Sequence, residues 1–260
     1  MQAFYDSADL NPHSPEQPPA MVEGLCYVCQ QEVGFIVNTE MIHRDNNWRE
    51  TMNCPKCGLI NRWRSSVHVF EALVQPTSQD RIYLTEAITP LYKQIASRLP
   101  GCTGSEYIEG KPRGAEIRLP SGLTRNEDVT RLTFPDGSFE AVLSFDVLEH
   151  VPDFKQALRE FYRVLTPGGQ ALISVPFTFQ DQTVTRAEVD PEGTVKHLME
   201  PVYHGDPLSD GGVLCYYEFG LDFLQDLRDA GFQEAYLLCF ASRRWGYYGA
   251  NMMFVGRKRF

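Results

Sequence analysis

An apolar strand, an amphipathic helix and a second apolar strand follow one another in this chain, and that order constrains the fold most strongly. Residues 139–145 form the first apolar run. Apolar residues then recur at helical spacing over 154–165, after Asp153, a residue type that caps helices. A Thr-Pro-Gly-Gly segment ends the helix, and residues 171–175 form the second apolar run. Strands joined in this way are parallel neighbours in one sheet, so the pattern predicts an α/β fold.

The same alternation of strands and helices extends over the chain from about residue 69. Thr89 and Pro90 mark another helix start, because threonine caps helices and proline suits the first turn. The further predicted strands are residues 81–86, 102–108, 235–239 and 252–255. Prolines among polar residues predict a flexible tail over residues 1–22. We therefore predict a cysteine module over 23–68 and an α/β domain over 69–260, with a polar insertion at 178–215 that is typical of a lid or substrate loop.

Four of the seven cysteines form two closely spaced pairs, Cys26-x-x-Cys29 and Cys54-x-x-Cys57. Each pair lets one tight turn present two thiolates to one ion, so the spacing predicts a zinc ribbon. Four thiolates fill a tetrahedral site, and the zinc is therefore expected to be structural. The alternative is four unrelated core cysteines or a redox pair. Because the other three cysteines are scattered and give an odd total, a disulfide framework is disfavoured and a reducing cytoplasm is expected.

Charge and hydropathy limit the partners that this chain can bind. A net charge of −10 disfavours broad contact with nucleic acid. Residues 26–64 nevertheless contain Arg49, Lys56, Arg62 and Arg64 close to Trp48 and Trp63, which is one pattern of a nucleic-acid platform. The net charge of residues 26–64 is only +1, from five basic and four acidic residues. We therefore favour the interpretation that this module is a folded cap on the larger domain. No apolar stretch reaches the roughly 18 residues of a membrane span, and no secretory signal is recognisable.

The central segment of the chain carries a family resemblance. It comprises DVTRLTFPDGSF at 128–139, AVLSFDVLEHVP at 141–152, and RVLTPGG at 163–169. This segment resembles the class I S-adenosylmethionine-dependent methyltransferases. Over about residues 81–257, the resemblance implies a seven-stranded Rossmann-like methyltransferase sheet, here preceded by an N-terminal zinc-ribbon module.

The resemblance also implies where S-adenosylmethionine would bind. Ligands of such folds lie outside the carboxyl ends of the strands, at a switch in strand order. Glu106 matches the carboxylate that binds the ribose hydroxyls, and Asp128, with Val129, lies near the adenine amine. Phe145 and Asp146 would lie beside the cofactor and face the substrate.

The loop after the first strand departs from the family pattern. Class I enzymes place an acidic residue and then a glycine-rich turn there, because the backbone must approach the ligand closely. This chain has Glu86 in the acidic position, followed by Ala87, Ile88, Thr89 and Pro90. Either the amino-acid end of the cofactor is held differently, or Ile88 partly blocks the pocket.

The polar insertion contains the candidate catalytic groups. His204 with Asp206 is the best candidate for a general base, since an imidazole oriented by a carboxylate suits a hydroxyl or amine acceptor. The alternative is a loop histidine bonded to backbone. His150, which follows the cofactor strand, is either a further catalytic group or a residue that stabilises a helix start.

Three functions are consistent with these features. The leading hypothesis is a methyltransferase for a small molecule, such as a sugar or specialised metabolite. The second is a non-catalytic binding or regulatory protein that keeps the fold, motivated by the missing glycine loop. The third is an RNA methyltransferase whose zinc ribbon contacts the RNA.

Overall fold

The computed structural model describes residues 19–206 and 208–260. The described chain forms two compact units. One, here called the cysteine unit, consists of residues 19–77, Thr89–Arg98 and Leu238–Met253. The other, the sheet unit, consists of Ser78–Ile88, Leu99–Leu237 and Phe254–Phe260. No helix in the described ranges is long and apolar enough to cross a membrane.

The strands, in chain order, are β1 Met21–Cys26, β2 Gln31–Ile36, β3 Ile82–Leu84, β4 Cys102–Glu106, β5 Glu116–Leu119, β6 Gly122–Asn126, β7 Phe139–Phe145, β8 Leu165–Ser174, β9 Val184–Thr185, β10 Ala187–Val189, β11 Val195–His197, β12 Tyr203–Asp206, β13 Ser209–Leu214, β14 Tyr217–Glu218, β15 Glu234–Ser242 and β16 Tyr247–Arg257. The helices are α1 Thr39–Asp45, α2 Asn61–Val74, α3 Pro90–Ala96, α4 Phe154–Val164 and α5 Phe223–Asp229. Short 3₁₀ turns lie at Trp48–Glu50 and Leu148–His150.

An eight-stranded sheet organises the larger unit, in the order β15-β16-β8-β7-β3-β4-β6-β5. The strands β4, β3, β7 and β8 pair in parallel, and β6 pairs in parallel with β4. From β3 the chain moves outward through β4 to β6, and later from β7 to β8 in the opposite direction. The strand order therefore switches between β3 and β7, where the carboxyl ends of both strands open onto a crevice.

The amphipathic helix predicted after Asp153 contributes one face of the hydrophobic core of this unit. The Asp153 carboxylate accepts a hydrogen bond of 2.9 Å from the Gln156 amide, which confirms the predicted cap. The buried face of α4 packs with residues of β7, β8 and α5, and consists of Phe154, Ala157, Leu158, Phe161 and Val164. Leu165, predicted on this helix face, is instead the first residue of β8.

Three features of the fold differ from the sequence-based prediction. The sheet has eight strands instead of seven, because β5 pairs antiparallel with β6 and adds an edge strand. Strand β1 begins at Met21, inside the predicted tail, and α2 runs across the predicted boundary at residue 68. The rest of the tail, residues 1–18, lies outside the described residues. The insertion at 178–215 holds small antiparallel pairs, among them the β12–β13 hairpin.

Candidate functional site

The four paired cysteines converge in the cysteine unit. One potential ligand atom from each of Cys26, Cys29, Cys54 and Cys57 lies within 4.8 Å of the other three. The Cys26 and Cys57 sulfurs are 3.9 Å apart, and those of Cys29 and Cys54 are 3.8 Å apart. Zn–S bonds of about 2.3 Å give a tetrahedron with S–S edges of about 3.8 Å. The cluster therefore has the dimensions of a tetrahedral thiolate site.

Local backbone geometry explains how the two turns present these sulfurs. The first cysteine pair sits at the turn between β1 and β2. In the second, the Gly58 amide donates to the Cys54 carbonyl and the Lys56 amide donates to the Cys54 sulfur at 3.4 Å. Gly58 has φ of +72°, a left-handed conformation that favours glycine, and so suits this turn.

Two of the basic and aromatic residues near the cysteines are buried inside the unit. Arg64 is fully buried, and its guanidinium donates to the carbonyls of Met52, Trp245 and Gly246. Trp48 is also buried, with 3% of its surface exposed. These residues stabilise the unit internally, and the pattern that suggested nucleic-acid binding loses two of its members.

In the sheet unit, Glu106 bridges the ends of two neighbouring strands. It is the last residue of β4, and its Oε1 accepts hydrogen bonds from the amides of Ala87 and Ile88, at 2.7 and 3.1 Å. Burial raises the pKa of Glu106, while these two amides oppose the rise. The loop after β3, which lacks glycine, is therefore held by a carboxylate at the position predicted to bind ribose.

The other predicted cofactor residues around β3 and β6 have different surroundings. Glu86 is buried in the loop after β3. Asp128 follows β6, and its Oδ1 accepts bonds from the Thr130 amide and hydroxyl at 2.9 and 2.6 Å. Val129 is partly buried and packs against the hydrophobic core. Tyr107, which no sequence pattern singled out, follows Glu106 and is 67% exposed. Its pKa is raised by burial of the hydroxyl and by the nearby charge of Asp128.

The end of β7 carries an unusual backbone conformation. Phe145 is buried, and the next residue, Asp146, has φ of +55° although it is not glycine. The Ser174 hydroxyl donates to Asp146 Oδ1 at 3.1 Å, and the Asp146 amide donates to the Ser174 carbonyl at 2.8 Å. Strained residues of this kind are frequent at functional sites.

A cluster of titratable groups follows directly after this turn. One potential ligand atom from each of His150, His204 and Cys215 lies within 4.8 Å of the other two. The fully buried Glu149 lies against them, with Oε1 at 3.4 Å from His204 Nδ1 and 3.7 Å from His150 Nε2. His150 and Glu149 come from the 3₁₀ turn after β7, His204 from β12, and Cys215 from the residue after β13.

The charges in this cluster depend on one another. Burial raises the pKa of Glu149. Contacts with Cys215, and then with Glu149, raise the pKa of His204 to about 10. Burial disfavours the charged His150 ring, but Cys215, Glu149 and the Leu214 carbonyl together raise its pKa. Burial also opposes the Cys215 thiolate, yet the two histidines lower the pKa of that thiol overall.

The carboxylate that His204 faces differs from the one predicted. We expected Asp206 to orient this ring, but Glu149 lies against it. Asp206 Oδ1 instead accepts a bond of 2.9 Å from the Leu208 amide. A β-bulge between His204 and Asp206 interrupts the regular alternation of that strand. The negative charge of Asp206 contributes to the raised pKa of Glu106, after the larger effect of burial.

Part of this chain is similar in sequence to known methyltransferases. Residues 93–173 match the family model described as a methyltransferase domain. A demethylmenaquinone methyltransferase of Listeria welshimeri is 59% identical over 73 residues, which cover 26% of this chain and 31% of that protein. A demethylmenaquinone methyltransferase of Mycolicibacterium gilvum is 37% identical over 81 residues, which cover 31% of this chain and 34% of that protein. The chain thus spans only about a third of the length of these curated relatives.

A solved structure is similar over a longer segment. The S-adenosylmethionine-dependent methyltransferase from Mesorhizobium loti has a TM-score of 0.48 and 17% identity, with 78% of this chain and 100% of that chain covered. Residues 93–173 are therefore similar to a methyltransferase domain, and the sheet that contains them has an α/β strand order with parallel central strands. The same chain also contains the four-cysteine cluster, in its other unit.

Proposed function

We propose that this protein is an S-adenosylmethionine-dependent methyltransferase for a small-molecule acceptor, such as a sugar or specialised metabolite. The observation that carries the proposal is the row of acidic residues at the carboxyl edge of β3, β4, β6 and β7. Glu86, Glu106, Asp128 and Asp146 each follow or end one of these strands. A crevice at a switch in strand order is where α/β sheets bind their ligands.

The nucleoside part of the cofactor would contact β4 and β6. Glu106 Oε1 accepts hydrogen bonds from the amides of Ala87 and Ile88. Oε2 would therefore accept hydrogen bonds from the ribose hydroxyls. Asp128 would accept from the adenine amine, next to Val129. The exposed ring of Tyr107 offers a face on which adenine can stack.

The reacting end of the cofactor would lie between the loop after β3 and the end of β7. A sulfonium carries a positive charge, and the carboxylates of Glu86 and Asp146 would stabilise it electrostatically. Phe145 and Asp146 would border the methyl group. Because methyl transfer is a direct displacement, these residues act mainly by aligning the methyl group with the acceptor.

The acceptor would bind between the end of β7 and the β12–β13 hairpin. His150, His204 and Asp206 are the residues that we propose to face it, with Glu149 against both rings. A hydroxyl or amine acceptor loses a proton on methylation, and a neutral imidazole can accept it. Because the pKa of His204 is raised to about 10, its ring would act in this way only at alkaline pH. The net charge of −10 favours a small molecule over nucleic acid as the substrate.

In the cysteine unit, we propose that Cys26, Cys29, Cys54 and Cys57 hold a structural zinc ion. The sulfur separations of 3.8 and 3.9 Å match the edges expected of tetrahedral zinc thiolate. Because all four positions are filled by protein, this ion would stabilise the fold and would take no part in methyl transfer.

One observation favours a second candidate, a non-catalytic binding protein with the same fold. The amides of Ala87 and Ile88 point at Glu106 and are therefore not offered to a ligand. If the cofactor's amino-acid end depended on those amides, this protein would not bind it.

Isothermal titration of S-adenosylmethionine and S-adenosylhomocysteine into the zinc-loaded protein separates the two candidates. We expect binding of both compounds, and we expect Glu106→Gln to weaken it. The matched control is Glu109→Gln, since Glu109 is exposed three residues further along the chain. No measurable heat with either compound would rule out the methyltransferase and leave the binding protein.

A further inference from the structure

The cluster after β7 has the composition and spacing of a second metal site. His150, His204 and Cys215 offer two imidazoles and a thiol, with one atom of each within 4.8 Å of the others. Imidazole and thiolate are the ligands that zinc prefers. The three residues come from separate elements, and backbone hydrogen bonds hold them together. The Cys215 amide donates to the Val202 carbonyl, and the Tyr216 amide donates to the Glu149 carbonyl at 2.7 Å.

The protonation state of His150 is set by its backbone partner. Its Nδ1 lies 2.8 Å from the Leu214 carbonyl, which can only accept a hydrogen bond. The proton therefore sits on Nδ1, and Nε2 carries the lone pair. A carbonyl that fixes the tautomer in this way is a regular partner of metal-binding histidines.

Glu149 is the independent observation that points to a cation. Its side chain is fully buried, and neither carboxylate oxygen has a hydrogen bond within the described part of the chain. Its Oε1 lies 3.4 Å from His204 Nδ1 and 3.7 Å from His150 Nε2. A buried carboxylate needs a nearby positive charge, which either the protonated histidine rings or an ion bound by those rings supplies.

We propose that His150, His204 and Cys215, beside the buried Glu149 carboxylate, bind a divalent transition-metal ion of the zinc class. This ion would be separate from the one assigned to the four paired cysteines. It would tie the β12–β13 hairpin to the turn after β7 and so fix the position of the insertion. The proposal concerns metal binding alone and does not depend on methyltransferase activity; with the ion bound, His150 and His204 would be ligands and would not accept a proton from the acceptor.

Metal analysis of the full chain, purified in zinc-containing medium and dialysed against zinc-free buffer, tests the proposal. We expect two zinc ions per chain in the wild type, and one in Cys215→Ser and in His204→Asn. Matched controls are Cys239→Ser and His197→Asn, which change the same residue types elsewhere and should keep two. Far-ultraviolet circular dichroism establishes that each variant is folded.

X-ray absorption at the zinc edge of the wild type gives an answer that needs no variant. We expect nitrogen or oxygen neighbours at about 2.0 Å in addition to sulfur at about 2.3 Å. A shell of sulfur alone would overturn the proposal, as would zinc contents in Cys215→Ser and His204→Asn equal to that of the wild type. One ion per chain that is lost in both variants would support this site and contradict the one at the paired cysteines.

Discussion

Two substitutions of Glu106 separate its structural role from its proposed role in binding. Glu106→Ala removes the acceptor of the Ala87 and Ile88 amides, which bond to it at 2.7 and 3.1 Å. An unsatisfied buried donor costs about 1–3 kcal/mol. Because this site is only partly buried, we expect Glu106→Ala to lower the free energy of unfolding by about 2 kcal/mol in total.

Glu106→Gln keeps an oxygen at the same place, so both amides retain an acceptor. We expect a change in the free energy of unfolding of less than about 1 kcal/mol, because the raised pKa of Glu106 shows that burial already disfavours its charge. The amide can no longer accept both ribose hydroxyls as a carboxylate does. A hydrogen bond to a charged group is stronger by about 1–2 kcal/mol, so affinity for S-adenosylhomocysteine should fall roughly tenfold.

Urea unfolding gives the stability of each variant, and calorimetric titration with S-adenosylhomocysteine gives its affinity. Glu109→Gln is the control for loss of an exposed charge in the same segment. Wild-type affinity in Glu106→Gln would refute the ribose role. Equal destabilisation by Gln and Ala would refute the role of Oε1 in holding the loop after β3.

Three further predictions concern the cysteine unit. Arg64→Met should lower the free energy of unfolding by about 3–5 kcal/mol in urea titrations, because it removes the donor from three carbonyls and an unsatisfied buried acceptor costs about 1–3 kcal/mol; an effect below 1 kcal/mol would contradict this. Burial lowers the pKa of His68 to about 4, so the neutral ring stabilises the fold above the ordinary pKa of about 6.5, and that stabilisation is lost as pH falls towards 4. Between pH 7 and 5 the wild type should therefore lose about 2 kcal/mol more than His68→Phe, and parallel losses would exclude the effect. A strong chelator should lower the melting temperature of the wild type reversibly, with recovery on addition of zinc, and an unchanged melting temperature would argue against a structural ion.

The features that the sequence predicted well depend on residues close together in the chain. The Cys-x-x-Cys turns, the Thr89 and Asp153 caps and the strand over residues 139–145 all follow from local spacing and residue type. Their geometry is confirmed: the Thr89 hydroxyl accepts from the Tyr92 amide at 3.1 Å, and β7 spans Phe139–Phe145. Local rules hold here because a cap or a turn is completed within three or four residues.

The features that the sequence did not predict depend on contacts between distant segments. Arg64 has the sequence context of an exposed cation, yet it is buried because carbonyls of Met52, Trp245 and Gly246 converge on its guanidinium. Glu149 and Cys215 are separated by 65 residues of sequence, and the contact of Glu149 with His204 joins segments that no local pattern connects. Contacts between segments this far apart are set by tertiary structure.

The absence of glycine after β3 has a physical explanation in the position of Glu106. A glycine-rich turn is needed where backbone amides must themselves approach a ligand, because a side chain would stand in the way. Here the amides of Ala87 and Ile88 donate hydrogen bonds to Glu106 Oε1 and not to a ligand. Side chains are therefore tolerated at both positions. If the proposed function is correct, that carboxylate stands between the loop and the cofactor, and one side chain both shapes the loop and binds the ribose. Glu106→Gln should then weaken cofactor affinity with little change in stability, and Glu106→Ala should lower the free energy of unfolding.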